Sequence, residues 1–403
     1  MDTMRTTHLF ALVAALGITG VPPLSAQQSR AAAGSPDVVD LLILADPATP
    51  AASFTIHRID PGAAETAAIL DVNGDGRLDI LAGDSWYQAP GWEKHTFREV
   101  PVSSGYVDAF SEFAFDVDGD GWTDVVTFAY FARHIAWYRN PGVEGREWVP
   151  TQIDEGFSTE FARLVDIDGD GNARELLPQT TSRTSPLSWY ELVDGEWVKH
   201  PIAPASYPHG IGAGDVNGDG RTDVLTPAGW FEAPSDPRAG EWTLHTAWAD
   251  LGLPEMGFMH VFDVNGDGLA DVITSAAHDY GVFWLEQRPD GSWRWHQIDN
   301  EWSEAHPSVL ADLNGDGQPD FVTAKRYMGR NANSPGANEP LGVYWYEFRR
   351  TDDGVVWTRH TISYDEGVGG GLQMSVVDVD GDGDPDIVAP GKTGLHLLEN
   401  TTN

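Results

Sequence analysis

The densest chemistry in this 403-residue chain is a nine-residue pattern. In "DVNGDGRLD", Asp71, Asn73, Asp75 and Asp79 put oxygen donors at positions 1, 3, 5 and 9, with glycine at positions 4 and 6. Carboxylates this close repel one another unless a cation sits among them. Hard oxygen donors on a flexible loop suit Ca2+ better than Mg2+ or zinc. The pattern recurs as Asp116, Asp118, Asp120 and Asp124; Asp166, Asp168 and Asp170; Asp215, Asn217, Asp219 and Asp223; Asp263, Asn265, Asp267 and Asp271; Asp312, Asn314, Asp316 and Asp320; and Asp378, Asp380, Asp382 and Asp386. Six or seven Ca2+ ions are expected. In the third copy position 9 is Arg174 and Glu175 comes one residue late, so this site is expected to be the weakest of the seven, one reading leaving it empty with the guanidinium standing in. An EF-hand would need Glu at position 12, where these loops carry Ala82, Thr127, Leu177, Thr226, Thr274, Thr323 and Ala389.

Loops need elements to hold them. The first Asp recurs after 45, 50, 49, 48, 49 and 66 residues, so the chain is a repeat array. Each unit has an apolar strand before the loop and a β-branched run after it, then an aromatic strand such as "SWYELV" and, in five units, a "WxxH" strand. Four short strands per unit read as one blade, and no stretch keeps a helical period. The expected fold is all-β: a seven-bladed propeller with four antiparallel strands per blade. The seventh unit lacks its fourth strand, and "FTIHRID" (54–60) matches it. That N-terminal strand is expected to close the last blade and remove an open edge. The expected organisation is a leader at 1–26, a linker at 27–52 and the propeller at 53–403.

A second chemistry appears once the repeat histidines are set aside. His209 and His306 lie six residues before a first loop Asp, where the first and third units carry Glu65 and Glu160. His260 lies three before its Asp, and His134 and His278 fall between second and third strands. In a meander these places share the end opposite the acidic loops, so they should ring one mouth of the central channel. Arg183, Tyr280 and, on the longest insertion (324–342), Lys325, Arg326 and Tyr327 project there too. The expected ligand-binding residues are Glu65, His134, Glu160, Arg183, His260, His278, Lys325 and Tyr327. His209, His306, Tyr280 and Arg326 are candidates for proton abstraction beside a carboxylate or carbonyl. Mixed His and Glu could also hold a transition metal.

Composition narrows the partners. A net charge of −38 disfavours nucleic acid and anionic lipid. Seven divalent ions would offset 14 of those charges, so the fold should depend on calcium. There is no cysteine, which removes disulfides and thiolate sites. Arg5, the apolar run 9–21 and "LSA" ending at Ala26 read as an export leader, placing the protein in the periplasm or outside the cell. The apolar run is too short to span a bilayer, so no membrane insertion is expected, and the chain should be a monomer.

The acidic loops resemble the FG-GAP and VCBS repeats, the calcium-binding blades of integrin alpha-chain propellers and of exported bacterial proteins. The resemblance implies Ca2+ ligands at positions 1, 3, 5 and 9 of six loops and at Asp166, Asp168 and Asp170 of the third. The stretch "GDVNGDGRTDVLTPAGWFEAP" with the later "WTLH" is also similar to the propeller of fungal aldos-2-ulose dehydratase, and related calcium propellers occur among polysaccharide lyases. None of those enzymes' catalytic residues can be matched here. Two readings stay open: a propeller binding a carbohydrate or protein ligand at the mouth opposite the calcium loops, or a lyase or dehydratase acting on an acidic or keto sugar there.

Overall fold

The strands of the repeats are three to eleven residues long, and a short Asp-Gly loop joins the first two of each, which favours antiparallel meanders. A computed structural model describes residues 43–44, 51–142 and 147–402. The leader and most of the linker lie outside the described residues. Among the described residues the helical segments are a 3-10 turn, Gly329–Ala332, and a single 3-10 residue at Gly142, and no helix is long and apolar enough to cross a membrane. The fold is all-β with a propeller arrangement.

The first repeat shows the plan. Ala68–Leu70, Asp79–Ala82, Ser85–Gln88 and Glu93–Thr96 pair in order as an antiparallel meander, with the acidic loop joining the first two strands. The expectation of seven separate blades is corrected. Five sheets of four or five strands stand separately, beside one sheet of eight strands and a two-stranded ribbon. The eight-stranded sheet contains the fourth and fifth repeats. Their first strands, Ile211–Gly214 and Phe258–Phe262, pair in parallel through Ile211, Gly212 and Ala213 opposite Phe258, Met259 and His260. Glycine permits the approach, since a Cβ on Gly212 would stand 2.4 Å from the Met259 carbonyl oxygen.

The chain ends share one sheet. Phe54–Asp60 pairs antiparallel with Gly394–Asn400, Phe54 opposite Asn400 and Ile56 opposite Leu398. Ile43–Leu44, inside the expected linker, adds a parallel edge strand opposite Trp357 and Thr358.

The repeated tryptophan and histidine are a cross-strand device. Trp189 stacks on His200, Trp230 on His245, Trp284 on His296 and Trp345 on His360, with ring centroids 3.8–4.4 Å apart. Each His Nε2 then meets the glutamate two residues after the tryptophan: Glu191, Glu232, Glu286 and Glu347, at 2.7–3.0 Å. These histidines are spent on holding the third strand to the fourth. Between sheets the contact is apolar. Val264, Ile273 and Trp284 of the fifth repeat pack with Phe321, Tyr346 and Trp357 of the sixth, all buried. Each such side chain contributes about 1.5–3 kcal/mol by leaving water.

Candidate functional site

At each acidic loop the first Asp organises the backbone. In the first loop, Gly74 and Asp75 amides donate to Asp71 Oδ1 (2.8 and 3.1 Å) and the Gly76 amide donates to Oδ2 (2.8 Å). Gly74 and Gly76, at φ 74° and 84°, turn those amides inward. The ninth residue is a buried anchor: Asp79 Oδ2 accepts the Val72 amide (3.1 Å) and Oδ1 accepts the amide of Ala89, just past the third strand (2.9 Å). Asp124, Asp223, Asp271 and Asp386 accept the same two kinds of amide. Burial pushes these carboxyls up. Asp124, Asp223, Asp271 and Asp386 reach about 6 and Asp320 about 8, with neighbouring loop carboxylates adding to the push. A cation among them would reverse it. In three loops one oxygen from each of three acids lies within 4.8 Å of the others: Asp116, Asp118 and Asp124; Asp166, Asp168 and Glu175; Asp378, Asp380 and Asp386. These residues fit a hard divalent cation.

The third loop keeps an acidic anchor. Glu175 stands opposite Val165 as Asp79 stands opposite Leu70, and its Oε2 accepts the Ile167 amide at 2.8 Å. The loop holds one extra residue, and the longer Glu side chain reaches the ninth-position place. Arg174 is exposed. The guanidinium at this loop belongs to Arg238, which donates to Asp168 (2.5 Å) and to Glu191.

The far end of the channel gathers charge from five repeats. His278 Nε2 lies 3.0 Å from His209 Nε2, which lies 3.1 Å from Glu160 Oε2. On the other side of His278, Glu304 Oε2 is 3.4 Å from its Nδ1 and 3.5 Å from His306 Nδ1. Arg326 donates to Glu65 Oε2 (2.9 Å) and lies 3.4 Å from His306 Nε2 and 3.8 Å from Glu160 Oε1. All seven residues are buried. Among the described residues neither Glu304 oxygen has a hydrogen-bond donor, and His209 Nδ1 has no hydrogen-bond partner. His209 and Glu304 hold left-handed backbone, φ 51° and 65°, a strained state for side-chain-bearing residues.

Electrostatics splits the histidines. Burial pushes the Glu160 carboxyl up, but the His209 hydrogen bond and the charges of His209, Arg326 and His278 outweigh it and hold it at about 2. Burial works against a charged His209, yet Glu160 and Glu255 raise it. Burial, with His278, Arg326 and His209 alongside, drives His306 well below its ordinary value, so His306 is neutral.

The expected mouth residues divide. Glu65, Glu160, His209, His278, His306 and Arg326 converge. Tyr280 does not join them, because its hydroxyl donates to Glu339 at 2.5 Å. Lys325 is fully buried, its ammonium donating to Ser303 O, Ser303 Oγ and Gly336 O, which pins the long insertion. Tyr327 is half-buried and offers its carbonyl to Lys392. Arg183 is exposed on the turn between strands Glu175–Thr180 and Leu187–Val193. His134 begins strand His134–Tyr138, opposite Glu155 on the outer side of its sheet. His260 sits further along the channel, bonded to Ser308 Oγ at 2.9 Å. Sequence reasoning missed Glu304. It lies two residues before His306, outside the repeat's own pattern, and only its chain neighbour pointed to it.

Three segments, residues 116–173, 263–323 and 312–389, match the model of the FG-GAP-like repeat. Among solved structures, the chain is similar to BBS1N in complex with ARL6DN. The lead-soaked form is 11% identical with a TM-score of 0.54, covering 87% of this chain and 97% of that one. The mercury-soaked form is 12% identical with a TM-score of 0.51, covering 87% and 96%. A lectin of Agrocybe aegerita that recognises non-reducing terminal N-acetylglucosamine is 15% identical with a TM-score of 0.45, covering 85% and 86%. At these identities the likeness to BBS1N is one of fold. A comparison with curated proteins finds no match.

Proposed function

Because the chain belongs to the FG-GAP-like repeat family, we propose that it is an exported, calcium-loaded propeller that binds a carbohydrate at the histidine end of its channel. Calcium would be held by positions 1, 3, 5 and 9, with Glu175 serving the third loop. It would supply positive charge that locks each loop to its strands.

The observation that carries the binding reading is the meeting of Glu160, His209 and His278, each offering one ligand atom within 4.8 Å of the others. Two imidazoles and one carboxylate are a transition-metal donor set with positions left for an outside oxygen. Next to it, Tyr106 lies under the Arg326 guanidinium, and Phe110 stacks on Tyr130 with ring centroids 5.0 Å apart. Phe131, partly exposed, packs against Tyr106 and Phe110. Aromatic faces beside a metal and a cation suit a sugar ring and its hydroxyl or carboxyl groups.

The test is metal analysis of the purified full chain, with Co2+ titration and a glycan array. We expect one equivalent of a transition metal besides calcium, its loss in His278→Gln, and glycan binding that falls with it. A chain that takes up no Co2+ and binds no glycan in any metal state would end this reading, and retention of a protein instead would replace the carbohydrate.

A second reading, a lyase or dehydratase acting on an acidic or keto sugar, is favoured by neutral His306 standing 3.4 Å from Arg326. A neutral imidazole can take a proton while the neighbouring guanidinium steadies a carboxylate or enolate. An unsaturated product absorbing in the ultraviolet, lost in His306→Gln, separates catalysis from binding.

A further inference from the structure

Past the histidine cluster, the same strands carry a second polar layer. Strand Thr159–Val165 bears Glu160 at the histidine end and Arg163 further along, and strand Ala305–Ala311 bears His306 and then Ser308. Arg163, His260 and Ser308 line one cavity of about 300 Å3 with Ala213 and Val261. The rings of Phe161 and Phe258 stand between the layers: Phe161 stacks on His306 and meets Phe258 edge-on, and the Arg163 guanidinium lies 5.6 Å from the Phe258 ring centre.

Arg163 differs from the chain's other enclosed arginines. Arg98 is paired with Glu112, Arg326 with Glu65 and Arg359 with Asp299. Among the described residues, no carboxylate or carbonyl accepts a hydrogen bond from Arg163. Acidic residues outnumber basic ones by 62 to 24, so an unpaired enclosed guanidinium is not for want of acids. Arg163 is half-buried on the cavity wall, and loss of water around it draws it down to about 10. Burial and the Arg163 charge hold His260 well below its ordinary value, so it is neutral. The cavity wall thus carries one positive charge, a neutral imidazole and a hydroxyl.

We propose that Arg163, His260 and Ser308 form a binding site for a small monocarboxylate in the channel. The guanidinium fork matches a carboxylate's two oxygens, and Ser308 can donate a further hydrogen bond. One negative charge balances the wall, whereas a phosphate dianion would leave excess negative charge inside an already acidic protein. The cavity is at the small end of the range for ligand sites. The proposal uses residues distinct from the metal donors and stands apart from the function proposed above.

The test is titration of the full chain with carbon-13-labelled acetate at constant ionic strength, read by line broadening and by melting temperature. Wild type should saturate. Arg163→Met should weaken binding about ten-fold or more, as loss of a charged hydrogen bond implies. Tyr364→Ala, at an exposed site on an outer strand, should leave it unchanged, and inorganic phosphate should compete more weakly than acetate. The proposal is overturned by a wild type that does not saturate, by an Arg163→Met variant that binds equally well, by phosphate binding more tightly, or by loss of the response in Tyr364→Ala. Should Arg163→Met fail to fold, Ser308→Ala replaces it, with at least a several-fold loss expected and equal binding counting against the site.

Discussion

The acidic loops and the histidine end of the channel are both clusters of charge, yet they are built in opposite ways. Each loop is nine or ten consecutive residues that satisfy themselves: the first Asp takes the glycine amides, and the ninth residue ties the loop to its strands. The channel cluster joins side chains from five repeats, and its Arg326–Glu65 pair spans 261 residues of sequence. The loops are repeated seven times and exposed, whereas the cluster occurs once and is buried. A repeated local motif can be lost at one copy and survive. A single cluster assembled across blades cannot.

The comparison can be broken at its largest effect by removing calcium. At a hundred-fold excess over its dissociation constant each bound ion adds about 2.7 kcal/mol to the folded state. Chelation at low salt should therefore lower the melting temperature by roughly ten degrees or more, and added Ca2+ should restore it. A melting curve indifferent to chelator would mean the loops stand without ions.

Next in size is the anchor inside a loop. Asp79→Ala strands the buried Val72 and Ala89 amides, at about 1–3 kcal/mol for each lost acceptor. Asp75→Ala, at an exposed position, should cost much less in metal-free protein. Equal denaturation midpoints for the two would show that the ninth position does not anchor.

The third loop sharpens the point. Glu175→Ala should destabilise about as Asp79→Ala does, while Arg174→Ala stays within about 0.5 kcal/mol of wild type. The reverse order in urea unfolding would restore Arg174 as the occupant.

The smallest effect lies at the channel end. Burial lowers the folded Lys325 amine to about 8 against an ordinary 10.5. Below pH 8 both folded and unfolded chains hold the proton and the burial cost is present in full. Between 8 and 10.5 the folded chain gives it up first, so wild type should gain stability relative to Lys325→Met as pH rises. Urea midpoints of the two proteins at pH 7.5 and 9.5 measure this, and a gap moving the other way would place Lys325 in contact with water.

Residue by residue, legibility followed range in the chain. The oxygen spacing of Asp71 to Asp79 was readable because turn and ligands occupy one short segment. The Trp–His strands were readable as packing, although the glutamate each histidine meets was not singled out. Glu175 was misread because one inserted residue shifts numbering without shifting the strand register. Tyr280 and Lys325 were misassigned because their side chains follow the long insertion, finding Glu339 in one case and Ser303 with Gly336 in the other. The eight-stranded sheet rests on Gly212 meeting the Met259 backbone, a contact between repeats that no spacing announces.

By itself the sequence determined the repeat, its strand-forming pattern and its seven sets of oxygen donors, since each is an interaction among near neighbours in the chain. Only the tertiary structure decided which histidines meet, that Glu304 joins them and that Arg163 stays without an acid. Those outcomes depend on where whole blades bring distant side chains together, and on what burial then does to their charges.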